Sequence, residues 1–190
     1  MAVPSGPADS IRTREIFAPE WEVQVTPGGN KVILNGTVQQ VHAQLLELNP
    51  NWDNDFKDDR TQKRETRENE WQTASNDLDK RTDFSGAGYN CGGRWGTINQ
   101  GALIEGIRYL RSRVGAPRAA PGPRTCYKVS CSWNTAIYWC NDSKQSKTLE
   151  SSGSIADGAQ FVYDKCKTRK EGGQVFHKTN WNVIVQADRC

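Results

Sequence analysis

Long apolar runs are missing from this chain. No stretch approaches the roughly 18 consecutive apolar residues that a membrane-spanning helix needs, and the mean hydropathy is −0.77. No transmembrane segment is therefore expected. Met1 to Ser10 has no apolar h-region of the signal-peptide kind, so any export signal is expected to have been removed already. Histidine is scarce, with two in 190 residues, and His177 is the one that follows the charged middle of the chain. A two-histidine mechanism of the ribonuclease type is thereby excluded from the C-terminal part. No G-x-S-x-G, P-loop or H-E-x-x-H motif is present.

Cysteine is absent from the first 90 residues and then appears six times, at Cys91, Cys126, Cys131, Cys140, Cys166 and Cys190. An even number at irregular spacing, with one Cys as the last residue, suits crosslinks that pin a chain end. A zinc site needs closely paired ligands. The closest pair here, Cys126 and Cys131, has four residues between its members and no His nearby. Three disulfides are expected, with no metal and no cofactor; 15 pairings are open. The sequons Asn35-Gly36-Thr37 and Asn141-Asp142-Ser143 are glycosylation candidates in a secreted chain.

Charge divides the chain at the same place. Residues 1–81 hold 10 Lys+Arg and 14 Asp+Glu, a net of −4; residues 82–190 hold 15 and 8, a net of +7, giving +3 in all. Residues 57–81 carry seven basic and seven acidic side chains but only Trp71 and Leu78 as large apolar ones, too few for a core. This reads as a linker, and it ends in Lys80-Arg81. Exposed dibasic pairs are what kexin-type secretory proteases cut, so cleavage after Arg81 is expected.

Ahead of the linker, residues 1–56 read as a small ββα pro-domain. Trp21 to Val25 alternates with period two, Pro27-Gly28-Gly29-Asn30 supplies a turn, and Lys31 to Leu34 resumes a strand. Thr37 and Gln40 form a capping box, with Val38, Val41, Leu45 and Leu48 on one helical stripe. So small a core is marginal alone, and packing against the C-terminal part is the natural remedy.

Residues 82–190 read as the mature domain, in the order α, ββ, α, ββ. Thr97 and Gln100 suggest a second capping box, then Leu103, Ile104, Ile107, Leu110 and Val114 repeat to a C-cap at Gly115. The proline-rich segment 115–123 cannot continue that helix. Thr125 to Trp133 and Thr135 to Cys140 form a hairpin about a Trp133-Asn134 turn, with Val129, Cys131, Tyr138 and Cys140 expected on one face. Ser154 is expected to cap a helix bearing Ile155, Ala159, Val162 and Cys166, and Gln174 to His177 and Trp181 to Val185 are the last strands. The expectation is an α+β fold, a four-stranded, mostly antiparallel sheet with two packed helices.

The segments Thr125 to Asp142, Gly153 to Ala159 and Gly172 to Trp181 resemble small secreted cysteine-rich proteins of filamentous fungi, many of them effector candidates. The order of helices and strands, ending in a terminal Cys, is also similar in pattern to smut-fungus killer toxins and related necrosis-inducing effectors. The resemblance implies export, processing at a Lys-Arg site and action outside the producing cell. It brings no catalytic residues with it.

The leading expectation is thus a secreted effector- or toxin-like proprotein that binds a host or competitor target: protein, glycan or anionic surface. Its other partners would be the kexin-type protease and its own pro-domain. Arg108, Arg111, Arg113, Arg118 and Arg124 form the candidate basic surface, with nucleic acid ranked last because aromatic and basic residues do not interleave. Trp95, Trp133, Trp139 and Trp181 would offer a contact surface if two were exposed side by side. The alternatives are a small secreted hydrolase using His177 and a carboxylate, and a structural wall or matrix protein that is never cut.

Overall fold

A computed structural model describes residues 15–56, 81–111, 115–123 and 125–190. Its central feature is the hairpin read from the cysteine-rich stretch. Strands β6 (Thr125–Ser132) and β7 (Thr135–Asn141) pair antiparallel, and β7 pairs in turn with β10 (Trp181–Ala187), which pairs with β9 (Gly173–His177). These four antiparallel strands are the expected sheet.

The fold is richer in strands than that expectation. The sheet has six strands, because β1 (Glu15–Phe17) lies parallel to β6 at one edge and β4 (Tyr89–Cys91) pairs with β9 at the other. A second, four-stranded antiparallel sheet runs in the order β3 (Lys31–Asn35), β2 (Glu20–Gln24), β5 (Ala116–Ala119), β8 (Lys147–Thr148). The N-terminal hairpin β2–β3 is present where expected, and β2 pairs with a strand from the C-terminal part through Glu20↔Arg118, Trp21↔Pro117 and Glu22↔Ala116. The proline-rich segment 115–123 does not continue the helix. It makes a strand despite Pro117, whose carbonyl still accepts from Leu149 N–H at 3.2 Å.

Among the described residues four α-helices accompany the sheets: α1 (Val38–Leu48), the short α2 (Trp52–Asp55), α3 (Gln100–Arg111) and α4 (Gly153–Cys166). The Thr37–Gln40 capping box of α1 is formed, with Thr37 N–H donating to Gln40 Oε1 at 2.8 Å. Val38, Val41 and Leu45 are buried, while Leu48 at the helix end is 57 % exposed. Helix α3 is capped two residues beyond the expected Thr97. Asn99 Oδ1 accepts from Ala102 N–H at 3.1 Å, and Thr97 instead bridges Glu171. Ser154 lies inside α4, which starts after Ser152, and the Ser152 hydroxyl donates to Leu110 O at 2.6 Å, tying α4 to α3.

A bulge at Val129 corrects the facing of the hairpin. Cys126 opposes Cys140 and Lys128 opposes Tyr138, but beyond Val129 the partners become Ser130↔Ile137 and Cys131↔Ala136. Cys131, Tyr138 and Cys140 therefore share one face, where Cys126, Cys140, Tyr138, Ile184 and Trp95 cluster. Val129 turns to the opposite face with Tyr127, Ile137 and Trp139, where the larger core lies. That core is continuous across the junction: Trp21, Val38, Leu45 and Trp52 belong to the same cluster as Leu103, Leu110, Ile155, Val162 and Val183.

Close approach of α4 to the sheet depends on Gly158, where an added Cβ would lie 2.6 Å from Val183 Cγ2. Cys91–Cys166, Cys126–Cys140 and Cys131–Cys190 are the three disulfides, and no cysteine is left free. Among the described residues no helix is long and apolar enough to cross a membrane.

Candidate functional site

The Lys80-Arg81 junction is built from its C-terminal side. Arg81 is exposed, whereas Phe84 is 5 % exposed and meets Trp181 and His177 edge-on at centroid distances of 5.6 and 5.2 Å. Between them, Thr82 N–H donates to Asp157 Oδ2 at 2.9 Å, and Asp83 Oδ1 accepts from Ser85 N–H at 2.8 Å. The chain is thus docked from Thr82 onward, with Arg81 presented outside the docked stretch. Lys80, the other half of the dibasic pair, lies outside the described residues.

A second feature stands at the tip of the β6–β7 hairpin. Trp95, Trp139 and Trp181 are buried, so the side-by-side aromatic pair is not formed among the four tryptophans singled out; Trp133 is 77 % exposed. Its backbone is in the left-handed region, φ 43°, as is that of Asn134, φ 58°. Two residues with positive φ between paired strands make the primed turn that matches strand twist. Asn suits that conformation, whereas a Trp there is strained. The tip is held firmly: Asn134 O accepts from Asp188 N–H at 3.2 Å, and Cys131 is crosslinked to Cys190.

No family model, curated protein or solved structure matches the chain. Its chemistry is therefore read from the geometry alone.

Beside the tip lies an open groove of about 410 Å³, walled by Ile16 and Phe17 of β1, Gln39 of α1, and Lys128, Cys131 and Arg189. It is lined from both sides of the Arg81 junction. Of the wall residues, Lys128 has its Nζ 2.8 Å from Asp188 Oδ2, and the Tyr138 hydroxyl donates to the same carboxylate. Burial would raise the Asp188 pKa, but the bonds from Lys128 and Tyr138 outweigh it and hold the group below the usual carboxylate range. Tyr138 is pushed up, first by burial and then by Asp188. This network holds Lys128, in the groove wall, in a charge pair.

His177 stacks on Trp181 at 4.6 Å, and its Nδ1 lies 2.9 Å from Thr179 Oγ1. Burial first, then the charges of Lys178 and Lys147, lower its pKa. Among the described residues no carboxylate hydrogen-bonds the ring. The arrangement fixes the ring as a packing and turn-forming element.

The basic candidates do not form one bare patch. Arg108 and Arg118 are exposed, but Arg111 pairs with Asp157 at 3.3 Å, and Arg118 lies on β5 across from Glu20. Arg113 and Arg124 lie outside the described residues. The two sequons also differ. Asn35 is exposed, while Asn141 is fully buried and its amide donates to Ala120 O and Gln145 O at 2.9 and 2.7 Å, so a glycan there would break both bonds. No group of three or more His, Cys, Asp or Glu suited to a metal ion occurs among the described residues.

Sequence reasoning placed Trp133 in the turn without anticipating its exposure. It puts Asp157 on a helix as a solvated or capping carboxylate and misses its contact with Thr82, which is 75 residues away.

Proposed function

We propose that the chain is a secreted effector- or toxin-like protein of a filamentous fungus, made as a proprotein, cut after Arg81, and acting by binding a target on a host or competitor cell. The observation that carries the binding part is Trp133, a large aromatic 77 % exposed on a strained, crosslinked turn. Exposed tryptophan on a rigid support is the kind of side chain that dominates contact energies, since little entropy is lost when it is buried. The three disulfides and the exposed Arg81 support export and processing.

The test uses the disulfide-bonded chain labelled with a fluorophore and applied to plant cells and to fungal competitor cells. Retention of the wild type on one of them, and a loss of about 10-fold or more in Trp133→Ala, is the expected result for an anchor residue. Equal retention of both proteins would overturn the tip as the contact. Recovery of only uncut chain from the secreting culture would overturn processing.

A further inference from the structure

We infer that Asp157 is a preformed receptor for the amino terminus that cleavage after Arg81 creates. The inference rests on the processing reading above. Hydrolysis breaks the Arg81–Thr82 peptide bond; water supplies the hydroxyl that completes the Arg81 carboxylate, and the Thr82 nitrogen leaves as an amine. An α-amine ordinarily titrates at about 7.7–8.0, so at neutral pH this one takes up a proton and becomes an ammonium.

In the intact chain that nitrogen already lies 2.9 Å from Asp157 Oδ2. Cleavage therefore converts an amide donor into a cation in contact with a carboxylate, with no movement of the domain required. The Asp157 side chain is only 13 % exposed, which limits solvent screening of the new pair. Its other oxygen, Oδ1, receives Arg111 Nη2 at 3.3 Å, so the carboxylate is held by α3 and faces Thr82 with Oδ2.

The position of the Thr82 nitrogen does not depend on Arg81. Phe84 is wedged over Gly158, the residue after Asp157, where an added Cβ would come within 3.0 Å of Phe84 Cζ. Ala87 N–H donates to Phe84 O at 3.0 Å and closes a turn behind it. The absence of a side chain at Gly158 thus lets Phe84 sink onto α4, and this brings Thr82 N to the carboxylate one residue earlier on the helix.

The experiment uses the full disulfide-bonded chain cut at this bond by two routes. One is a kexin-type protease on the native sequence. The other is factor Xa on a chain carrying Leu78→Ile, Asp79→Glu and Lys80→Gly, which ends its recognition sequence at Arg81 and produces the same Thr82 terminus. The reactivity of the Thr82 α-amine toward acetic anhydride is measured at pH 7 by mass spectrometry, alongside urea unfolding.

Acetylation about 10-fold slower in the wild type than in Asp157→Asn is expected, since a salt-bridged ammonium must first be released. Asp157→Asn should also lower the urea midpoint more in the cut protein than in the uncut one. A Gly inserted between Arg81 and Thr82 keeps Asp157 but moves the ammonium by roughly 3.5 Å, and should restore fast acetylation even if Asp157→Asn fails to fold. Equal acetylation rates in the wild type and the insertion variant would overturn the inference. If kexin-type protease leaves the native chain intact while factor Xa yields a protected terminus, the receptor stands and the processing reading falls.

Discussion

At the scale of single residues, the two most informative side chains are both held against their preferences. Trp133 occupies a left-handed position, φ 43°, that Asn adopts with less strain. Trp133→Asn is therefore expected to stabilise the protein by about 0.5–1 kcal/mol in urea unfolding while abolishing retention on target cells. A destabilised variant would mean that the ring packs on the fold instead of serving a partner. His177 is held neutral: its ordinary value of 6.5 is lowered first by burial and then by Lys178 and Lys147. The unfolded chain binds the extra proton more readily, so this contribution is full above about pH 6.5 and declines as the pH falls below it. Thermal melts between pH 7 and pH 5 should show a falling midpoint that is flattened in His177→Phe.

At the scale of elements, crosslinks and strands respond to different parts of the sequence. Cys131–Cys190 spans 59 residues and both of its cysteines keep some solvent contact, so its removal tests chain entropy more directly than removal of Cys126–Cys140, which is fully buried and spans 14. The double variant Cys131→Ser, Cys190→Ser is expected to lose about 4 kcal/mol of unfolding free energy, read from its urea midpoint. The parity and spacing of the cysteines made three crosslinks legible, and the long strands and helices were legible from their periods. The edges were not. Strands β1, β4 and β8 have two or three residues, too few to show a period, and Pro117 argues locally against β5. Each exists because a longer neighbour offers it an open edge. The candidate site divides in the same way: Arg81 is announced by its dibasic neighbour, whereas Asp157 and the exposure of Trp133 arise from contacts that no local pattern encodes.

At the scale of the molecule, the acidic N-terminal part and the basic C-terminal part are built into one another. β1 completes the edge of β6, β2 sits between β3 and β5, and Trp21, fully buried, donates its indole N–H to Gly36 O at 2.8 Å inside the common core. Gln39 Nε2 donates to Ser130 Oγ at 2.7 Å, and His42 packs on Tyr109. Cleavage after Arg81 therefore severs the chain without dismantling this interface, and the groove beside Trp133 keeps both of its walls. No disulfide crosses the cut, because all six cysteines follow it. The cut protein should accordingly elute as a single peak from a sizing column and run as two bands on a non-reducing denaturing gel. Its unfolding becomes bimolecular in reverse. The urea midpoint of the cut form is expected to rise with protein concentration while that of the uncut form stays constant. A midpoint independent of concentration in both would mean that the N-terminal part unfolds separately and that residues 82–190 stand without it.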